Sequence, residues 1–428
     1  MSDGALNGIR VISMGSVWAG PYVGRVLAEL DAEVIRIAFF GQATMGPSRS
    51  IDVLERWKES MLGRGMTQEE VARAARPVPA FPAAFQCGNY GFGLDLRQDK
   101  GKEIYKRLIK ATDVVVDGWS PKVMANLGLD YTVLKEIRPE LIYASIPALG
   151  MTGPDRNVRM FGSGCEALGG ADSIRGYTDG RPYPSTGHVT DPIAAMFILT
   201  SILAALEYRA ETGRGQHIDV SQTECGTAIL GEAIMDYSIN QRVAKPEGNN
   251  HPYFAPHGCY RCKGDDKWVT IAVTSDQDWQ NFCRAIDSLE WSADPKFADM
   301  YSRWYHREEL NRYIEQWTIQ HDAYAVQQIL QQNRVCCGVT VSTEEQIEYD
   351  PHVKDRNIYH EITYFDNVSD PIFRVPWVLP RTPTKLDRGS PYTGQHNDYI
   401  LRQILGMSEQ EIDALKEEKV VGATPPQR

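Results

Sequence analysis

Residues 187–215 read GHVTDPIAAMFILTSILAALEYRAETGRG, and residues 193–206 within this stretch are almost uninterruptedly apolar. Asp191 stands directly before Pro192. Such a pair favours a helix start, because a carboxylate can accept N–H groups of the first turn and proline loses no hydrogen bond there. A helix that is apolar on all sides belongs in a protein interior. The sequence therefore predicts a buried helix that ends at Gly213. Asp191 lies at its N-terminus, where a carboxylate is either a helix cap or a reagent that takes part in catalysis.

The composition indicates a multidomain globular protein. A chain of 428 residues is too long for one small core, and its 42% apolar and 24% charged residues are ordinary. The net charge of −11 argues against nucleic-acid binding, although a few local cations can still hold a small anion. No basic segment precedes an apolar one at the start, and Thr200 and Ser201 interrupt the short apolar helix. We expect a soluble, cytoplasmic protein without a membrane span.

The eight cysteines are too few and too scattered for a disulfide scaffold. Cys259 and Cys262 form a CxxC motif, but a zinc ribbon needs a second well-spaced pair. The adjacent Cys336 and Cys337 have the wrong spacing, and Cys165 has no local histidine to activate it. We predict ordinary reduced thiols and no metal site.

The N-terminal pattern is strand, turn, helix, strand, at residues 9–13, 15–21, 22–30 and 33–37. This is a βαβ unit, which predicts a parallel sheet covered by helices. The turn after the first strand is where such folds bind ligands, although it lacks the GxGxxG fingerprint of a dinucleotide site.

Residues 39–84 break this pattern, since four prolines surround helices predicted at 51–61 and 68–75. We interpret the segment as a surface excursion, either a lid or a partner contact. Alternation then resumes, with a glycine-rich loop at 150–170. The predicted strands are 91–96, 113–117, 141–146 and 217–221, and the predicted helices are 100–111, 120–127, 131–137 and 224–239.

A smaller α+β domain is predicted at 240–345, between a large domain at 1–239 and a segment, 346–428, that returns to it. Its antiparallel pair of strands lies at 258–262 and 267–273, followed by helices at 276–286 and 308–320. The last segment ends in an amphipathic helix at 408–419, whose Ser408 and Glu411 have the spacing of a capping box.

Several short motifs, none decisive alone, follow one another in a specific order. They include Leu6-Asn7-Gly8-Ile9, Ala19-Gly20-Pro21, Leu94-Asp95-Leu96-Arg97, Asn126-Leu127-Gly128-Leu129, Gly150-Met151-Thr152-Gly153-Pro154, Thr212-Gly213-Arg214-Gly215-Gln216, Asp350-Pro351-His352 and Leu405-Gly406-Met407-Ser408. In order and spacing the chain resembles the class III coenzyme A transferases, of the formyl-CoA transferase and carnitine CoA-transferase type, along nearly its whole length. The resemblance implies a Rossmann-like α/β large domain built from N- and C-terminal parts, a smaller α+β domain and an interlocked dimer.

The resemblance also implies that Asp191 is the catalytic nucleophile. Exchange of CoA between two acids needs a carboxylate that attacks a thioester and passes through an aspartyl–acyl anhydride and an aspartyl-CoA thioester. The N–H groups at the start of its helix would keep Asp191 ionised and stabilise the developing anion. Without the resemblance, the pattern favours a simple cap. CoA thioesters would be substrates, and no permanently bound cofactor is expected.

The positions that match the family's CoA contacts lie in the first turn, after the strand that begins at Asp113, and before Phe161: Val17, Trp18, Ala19, Gly118, Trp119 and Arg159. The alternatives are a solvated arginine and core tryptophans, and for Trp119 the two interpretations are equally supported. His188, Glu166 and Arg181 are candidate substrate contacts.

Three segments depart from the family pattern. Ala38-Phe39 and the segment 87–91 replace the usual cationic supports of the CoA phosphates, and residues 247–252 stand where some members have a four-glycine loop. The CoA phosphate contacts and the closure of the site therefore stay open.

Two other functions compete with CoA transfer. A 2-methylacyl-CoA racemase would carry a Gly-His-Asp motif in the segment 159–170, which here reads RMFGSGCEALGG and has no histidine. A structural subunit of a hetero-oligomer would have lost the aspartate, which this chain keeps, although it can still be the active half of a two-subunit enzyme. The segment FGSGCEALGG is most similar to the subfamily that uses succinyl-CoA and aryl succinates such as (R)-benzylsuccinate, in anaerobic aromatic degradation.

Overall fold

The structure is a computed structural model that describes residues 4–15, 17–40, 59–63, 65–68, 71, 84–181, 183–185, 187–364 and 369–424. The helices predicted at 51–61 and 68–75, and most of the 39–84 excursion, lie outside the described residues. The chain forms two compact units. The first unit comprises Met1–Ala171, Ser185–Gly231 and Arg356–Arg428, and the second comprises Asp172–Pro184 and Glu232–Asp355. The limits 1–239, 240–345 and 346–428 stay a prediction of the domain boundaries.

A six-stranded parallel sheet forms the centre of the first unit. Its strands are β1 (Arg10–Met14), β2 (Glu33–Ala38), β3 (Tyr90–Gly93), β4 (Val114–Asp117), β5 (Ile142–Ser145) and β6 (Gln216–Asp219). They lie in the order β3-β2-β1-β4-β5-β6. The central strands are buried on both faces, which is why they appear in the sequence as continuous runs of β-branched residues. The predicted Rossmann-like α/β architecture is confirmed.

The helices that the described residues form with assigned bounds are α1 (Ala19–Glu29), α2 (Asp99–Ile109), α3 (Lys122–Leu127), α4 (Tyr131–Ile137), α5 (Gly162–Leu168), α6 (Ala171–Ile174), α7 (Thr190–Thr212), α8 (Gln222–Ala228), α9 (Gly231–Asn240), α10 (Asp276–Ala285), α11 (Met300–Tyr305), α12 (Arg307–Thr318), α13 (Ala323–Gln332), α14 (Thr343–Glu348), α15 (Pro351–Asp355), α16 (Asn397–Tyr399) and α17 (Glu409–Glu417). Both faces of the parallel sheet are covered. Val11 and Val34 pack with residues of α1 and α7, whereas Ile12 and Ile35 pack with residues of α2.

Helix α7 is the long apolar helix of the sequence, and it ends as predicted at Gly213, which adopts a left-handed conformation with φ 70°. Its start differs from the prediction. The helix begins at Thr190, and the cap position belongs to Val189, whose apolar side chain accepts no N–H of the first turn. The interpretation of Asp191 as a helix cap is therefore wrong, because its carboxylate lies inside the first turn and points elsewhere.

The prediction that α7 is buried all round is also wrong. Its buried residues recur every three or four positions and so lie on one face: Thr190, Asp191, Ala194, Ala195, Ile198, Leu199, Ile202 and Ala205. Phe197, Leu203 and Tyr208 are apolar but exposed. By length and composition alone α7 is apolar enough to cross a membrane, a test that core helices also pass. A cytoplasmic location stays a prediction.

Two local predictions are wrong. The glycine-rich segment 150–170 is not all loop, since α5 forms within it. Gly164 lies there because an added Cβ would press on the Met160 side chain, so the glycine serves close packing. The helix predicted at 224–239 is divided between α8 and α9.

The second unit contains a three-stranded antiparallel sheet. Strands β7 (His257–Arg261) and β8 (Trp268–Ala272) confirm the predicted pair, whereas β9 (Cys336–Thr340), which pairs with β8, was not predicted. Helices α10, α12 and α13 pack on this sheet around Phe282 and Phe297.

The C-terminal segment returns to the first unit, as the family resemblance implies. Strands β10 (Tyr359–Thr363) and β11 (Ser369–Phe373) pair antiparallel, and Val375, which follows β11, packs with apolar residues of α1. There the fully buried Arg25 pairs with Glu29 at 2.7 Å, and Glu29 also accepts the N–H of Val375 at 2.9 Å. Helix α17 begins with the predicted capping box between Ser408 and Glu411.

Candidate active site

The carboxyl ends of β1 and β4 meet where the strand order reverses, which is where open parallel sheets leave a crevice for ligands. Gly118 follows β4, and its Cα lies 3.3 Å from where a Cβ on Gly15 or Gly20 would be. Gly15 has φ +131°, a conformation that L side chains rarely adopt. These glycines let the backbone of the first turn contact the backbone after β4. The first turn and the turn after β4, which are both predicted to contact CoA, therefore lie together.

The Asp191 carboxylate reaches the same crevice from α7. The side chain is almost completely buried, with the residue 6% exposed. The backbone N–H of Ala19, at the first turn of α1, hydrogen-bonds to the carboxylate. On its other side lies Gly162, where an added Cβ would overlap Asp191 Oδ2. The nucleophile candidate is thus held between the start of α1 and the start of α5.

Burial raises the pKa of Asp191 to about 6. The Ala19 amide and the His188 imidazole oppose this rise, and the nearby Glu166 carboxylate adds to it. The expectation that α7's own N–H groups keep the carboxylate ionised is wrong, since the amide that contacts it belongs to α1. At neutral pH Asp191 is mostly ionised and is more basic than an exposed aspartate.

The structure brings two of the three candidate substrate contacts beside Asp191. His188 is exposed, has a left-handed φ of 45°, and accepts the N–H of Asp191 at 3.1 Å through its backbone oxygen. Glu166 lies on α5, is 0% exposed and accepts hydrogen bonds from Ser185. Arg181 is exposed in a turn of the second unit, where its N–H contacts Asp179 at 3.0 Å.

The predicted CoA contacts differ in their surroundings. Val17 and Trp18 are half-buried in the first turn, and the Trp18 ring centroid lies 4.7 Å from that of Phe85. Trp119 is half-buried, and its ring stacks on Phe39 with the centroids 6.0 Å apart. Arg159 is exposed just before α5. Contact of these residues with CoA stays a prediction.

Two cations of the first unit were not predicted from the sequence as candidate ligand contacts. Arg36, the third residue from the end of β2, is only 4% exposed, and burial lowers the pKa of its guanidinium to about 10. The guanidinium carbon of Arg97 lies 5.4 Å from the centre of the Phe39 ring, which in turn stacks on Trp119. Both arginines are plain in the sequence, but only the fold shows that Arg36 is buried and that Arg97 is linked to Trp119 through the Phe39 ring.

Asp117, which supports the turn after β4, was also not predicted from the sequence. Burial raises the pKa of Asp117 to about 6. Its carboxylate accepts the N–H of Trp119 at 3.0 Å and the hydroxyl of Tyr143 at 2.8 Å. Asp117 therefore fixes the turn that carries Gly118 and Trp119.

A parallel sheet in this order, with a buried basic carboxylate beside a helix N-terminus at its carboxyl edge, is typical of an α/β enzyme that acts on its substrate through a carboxylate. The sequence matches CoA-transferase family III over residues 6–397, and the chain belongs to this family. It is therefore a CoA-transferase, an enzyme whose substrates are CoA thioesters.

Relatives of known activity match along nearly the whole chain. Succinyl-CoA--D-citramalate CoA-transferase of Chloroflexus aurantiacus is 29% identical over 97% of this chain and 98% of its own length. The succinyl-CoA--L-malate CoA-transferase alpha subunit of the same organism is 28% identical over 97% of this chain and 92% of its own. The crystal structure of a CAIB/BAIF family protein from Brucella suis has a TM-score of 0.80 and 26% identity, covering 94% of this chain and all of that one.

The raised pKa of Asp191 predicts a pH-dependent gain in stability for Asp191→Asn. The folded pKa of about 6 exceeds the ordinary value of 3.8, so ionisation weakens the fold as pH rises through this window. An asparagine side chain avoids that cost, and we expect the variant to be more stable by about 2 to 3 kcal/mol at pH 8 and nearly equal below pH 4. Urea unfolding at both pH values measures the difference.

Asp95→Asn is the matched control for this pH dependence. The hydrogen bond from Arg97 lowers the pKa of Asp95 to about 2, so that ionised carboxylate stabilises the fold above about pH 4. Its replacement should therefore destabilise at pH 8. The raised pKa of Asp191 is contradicted if both variants shift the free energy of unfolding at pH 8 in the same direction.

Gly162→Ala should impair catalysis without unfolding the protein. The added Cβ overlaps Asp191 Oδ2 and lies 3.0 Å from His188 Cβ, so the carboxylate must move. A displacement of about 1 Å typically costs about 100-fold in rate, and we expect that loss in kcat/KM. Gly231→Ala, where no described atom lies within 4 Å of the new Cβ, is the control and should keep wild-type activity.

Proposed function

We propose that this CoA-transferase works through a covalent intermediate on Asp191. One observation carries the proposal: a buried carboxylate with a raised pKa contacts the first amide of α1, beside the turns assigned to CoA. A carboxylate in that setting is a stronger nucleophile than one in water and is still ionised at neutral pH.

The reaction would proceed in two symmetrical halves. An oxygen of Asp191 attacks the thioester carbonyl of the donor, which forms a mixed anhydride and releases CoA thiolate. The thiolate attacks the aspartyl carbonyl, forming an aspartyl-CoA thioester and releasing the donor acid as a carboxylate. The acceptor carboxylate attacks this thioester, giving a second anhydride and CoA thiolate. Attack of the thiolate on the acceptor's carbonyl yields the new thioester and restores Asp191.

The backbone N–H of Ala19, the first amide of α1, would stabilise the negative charge that forms in each attack. Each attack places negative charge on an oxygen next to Asp191, and an N–H already held there stabilises that charge without reorganisation. The burial of the site strengthens this electrostatic interaction, because little water screens it. The role that the sequence assigned to α7's own N–H groups would therefore fall to α1.

For the donor we propose succinyl-CoA, and for the acceptor a dicarboxylate, with (R)-benzylsuccinate as the candidate suggested by the segment FGSGCEALGG. The support is that the two Chloroflexus relatives described above are named for succinyl-CoA together with citramalate or malate. A second carboxylate on the substrate needs a cation, and His188 and Arg159 of the first unit are candidates, as is Arg181 from the sequence.

We also propose that the enzyme is oligomeric. The exposed apolar side of α7, with Phe197, Leu203 and Tyr208, is suited to burial against another chain. The L-malate relative is named as an alpha subunit. Both an interlocked homodimer and a pairing with a paralogous subunit fit these observations, and light scattering of the purified chain distinguishes them.

Trapping of the intermediate tests the mechanism. Incubation with succinyl-CoA followed by hydroxylamine should convert Asp191 to its hydroxamate, detected by peptide mass spectrometry. The trapping rate should fall as pH drops below about 6, because only ionised Asp191 attacks. Asp191→Asn should give no adduct. An unmodified Asp191 peptide together with α-proton exchange in deuterium oxide would instead support the racemase.

A panel of acceptors tests the substrate class. With succinyl-CoA as donor, we expect kcat/KM for (R)-benzylsuccinate to exceed that for a monocarboxylate such as 3-phenylpropionate by at least about tenfold, since the second carboxylate meets a cation. D-citramalate and L-malate in the same assay show whether the aryl group matters. Equal rates for the monocarboxylate would contradict the dicarboxylate assignment.

A further inference from the structure

Ser185 connects two helices that meet at Asp191. Its hydroxyl lies 2.8 and 2.7 Å from the two carboxylate oxygens of Glu166 on α5, and its backbone N–H lies 3.4 Å from one of them. The same hydroxyl oxygen accepts the N–H of Val189, at the start of α7, at 3.4 Å. A chain of hydrogen bonds therefore runs from a fully buried carboxylate to the helix that carries Asp191.

A second contact joins the same two helices one residue before Asp191. The hydroxyl of Thr190 donates to the backbone oxygen of Gly162 at 2.9 Å, and this bond is buried. The hydrogen bonds of Ser185 and that of Thr190, here called the two ties, hold the first turn of α7 against α5. The Asp191 carboxylate overlies Gly162 next to them. A carboxylate in such a position depends on both.

Glu166 is buried where its charge affects Asp191. Among the described residues, the groups that face Asp191 are the Ala19 amide on α1, His188 before α7, and Glu166 and Cys165 on α5. Of these, Glu166 opposes ionisation of Asp191, whereas the amide and the imidazole favour it. Glu166 and burial therefore act in the same direction on the pKa of Asp191.

We propose that Glu166 is a positioning residue, whose carboxylate holds Ser185 and through it the first turn of α7, so that Asp191 keeps its place over Gly162. This inference rests on the proposed nucleophilic role of Asp191. It differs from the substrate contact suggested by the sequence, because the Glu166 side chain is enclosed and already engaged by Ser185. The role has two separable parts, a hydrogen-bonded tie and a negative charge.

Two variants separate these parts. Glu166→Gln keeps an oxygen that accepts from Ser185 and removes the charge, so we expect kcat at pH 8 within about threefold of wild type. The acid limb of its kcat/KM profile should move to lower pH, because Asp191 loses an opposing charge. Ser185→Ala keeps the charge and removes the tie, so kcat should fall about 10- to 100-fold with KM for succinyl-CoA nearly unchanged.

Ser201→Ala is the matched control, since it removes a serine hydroxyl from α7 that bonds within the helix, to the Phe197 oxygen at 3.0 Å. It should match wild type. The proposal is overturned if Ser185→Ala keeps wild-type kcat, or if Glu166→Gln leaves the acid limb unmoved, or if either variant raises only the KM of the acceptor. Hydroxylamine trapping on wild-type Asp191 is scored separately, so failure of the covalent mechanism cannot be confused with failure of this inference.

Discussion

The packing of α7 on α1 and the sheet is the constraint on which the site depends. Only one face of α7 is buried, and that face begins with Thr190 and Asp191. Burial of the apolar residues behind them, such as Ile198 and Ile202, contributes about 1.5 to 3 kcal/mol each. This apolar interaction holds a carboxylate against the first amide of α1, a position that the carboxylate would not take in water. The hydrophobic core thus supplies the free energy that offsets the cost of a buried acid.

The first unit buries several carboxylates, which differ in how well their partners compensate the negative charge. Glu29 is neutralised by Arg25 at 2.7 Å and serves to fasten the C-terminal segment. Asp117 receives the Tyr143 hydroxyl and the Trp119 amide, and it shapes a turn. Asp191 has one amide, a nearby imidazole and an opposing Glu166. Counting partners among the described residues, Asp191 is the least compensated of the three, which is the condition expected of a reagent rather than a structural group.

Local patterns predicted the parallel sheet, the closing Gly213, the capping box at Ser408 and a helix that starts next to Asp191, because each is encoded within a few neighbouring residues. They failed where the cause lies far away in the chain. Nothing near residue 191 shows that its amide partner is Ala19, and nothing near Ser185 shows that it meets Glu166. The glycines of the segment 150–170 were interpreted as loop formers, whereas Gly162 is needed because a carboxylate from another helix occupies the space of its side chain.

A raised pKa suits both directions of the proposed exchange. A carboxylate with a pKa of about 6 is more basic than one with the ordinary value, so it attacks a thioester faster, yet it remains mostly ionised at neutral pH. A much higher pKa would leave too little of the ionised form, and a pKa near the ordinary value of 3.8 would make Asp191 a weaker nucleophile. Burial and Glu166 raise the pKa of Asp191, whereas the Ala19 amide and His188 lower it. Together they hold the pKa between these limits. Glu166 would therefore combine with burial to set how basic Asp191 is, while the Ser185 tie sets where it lies.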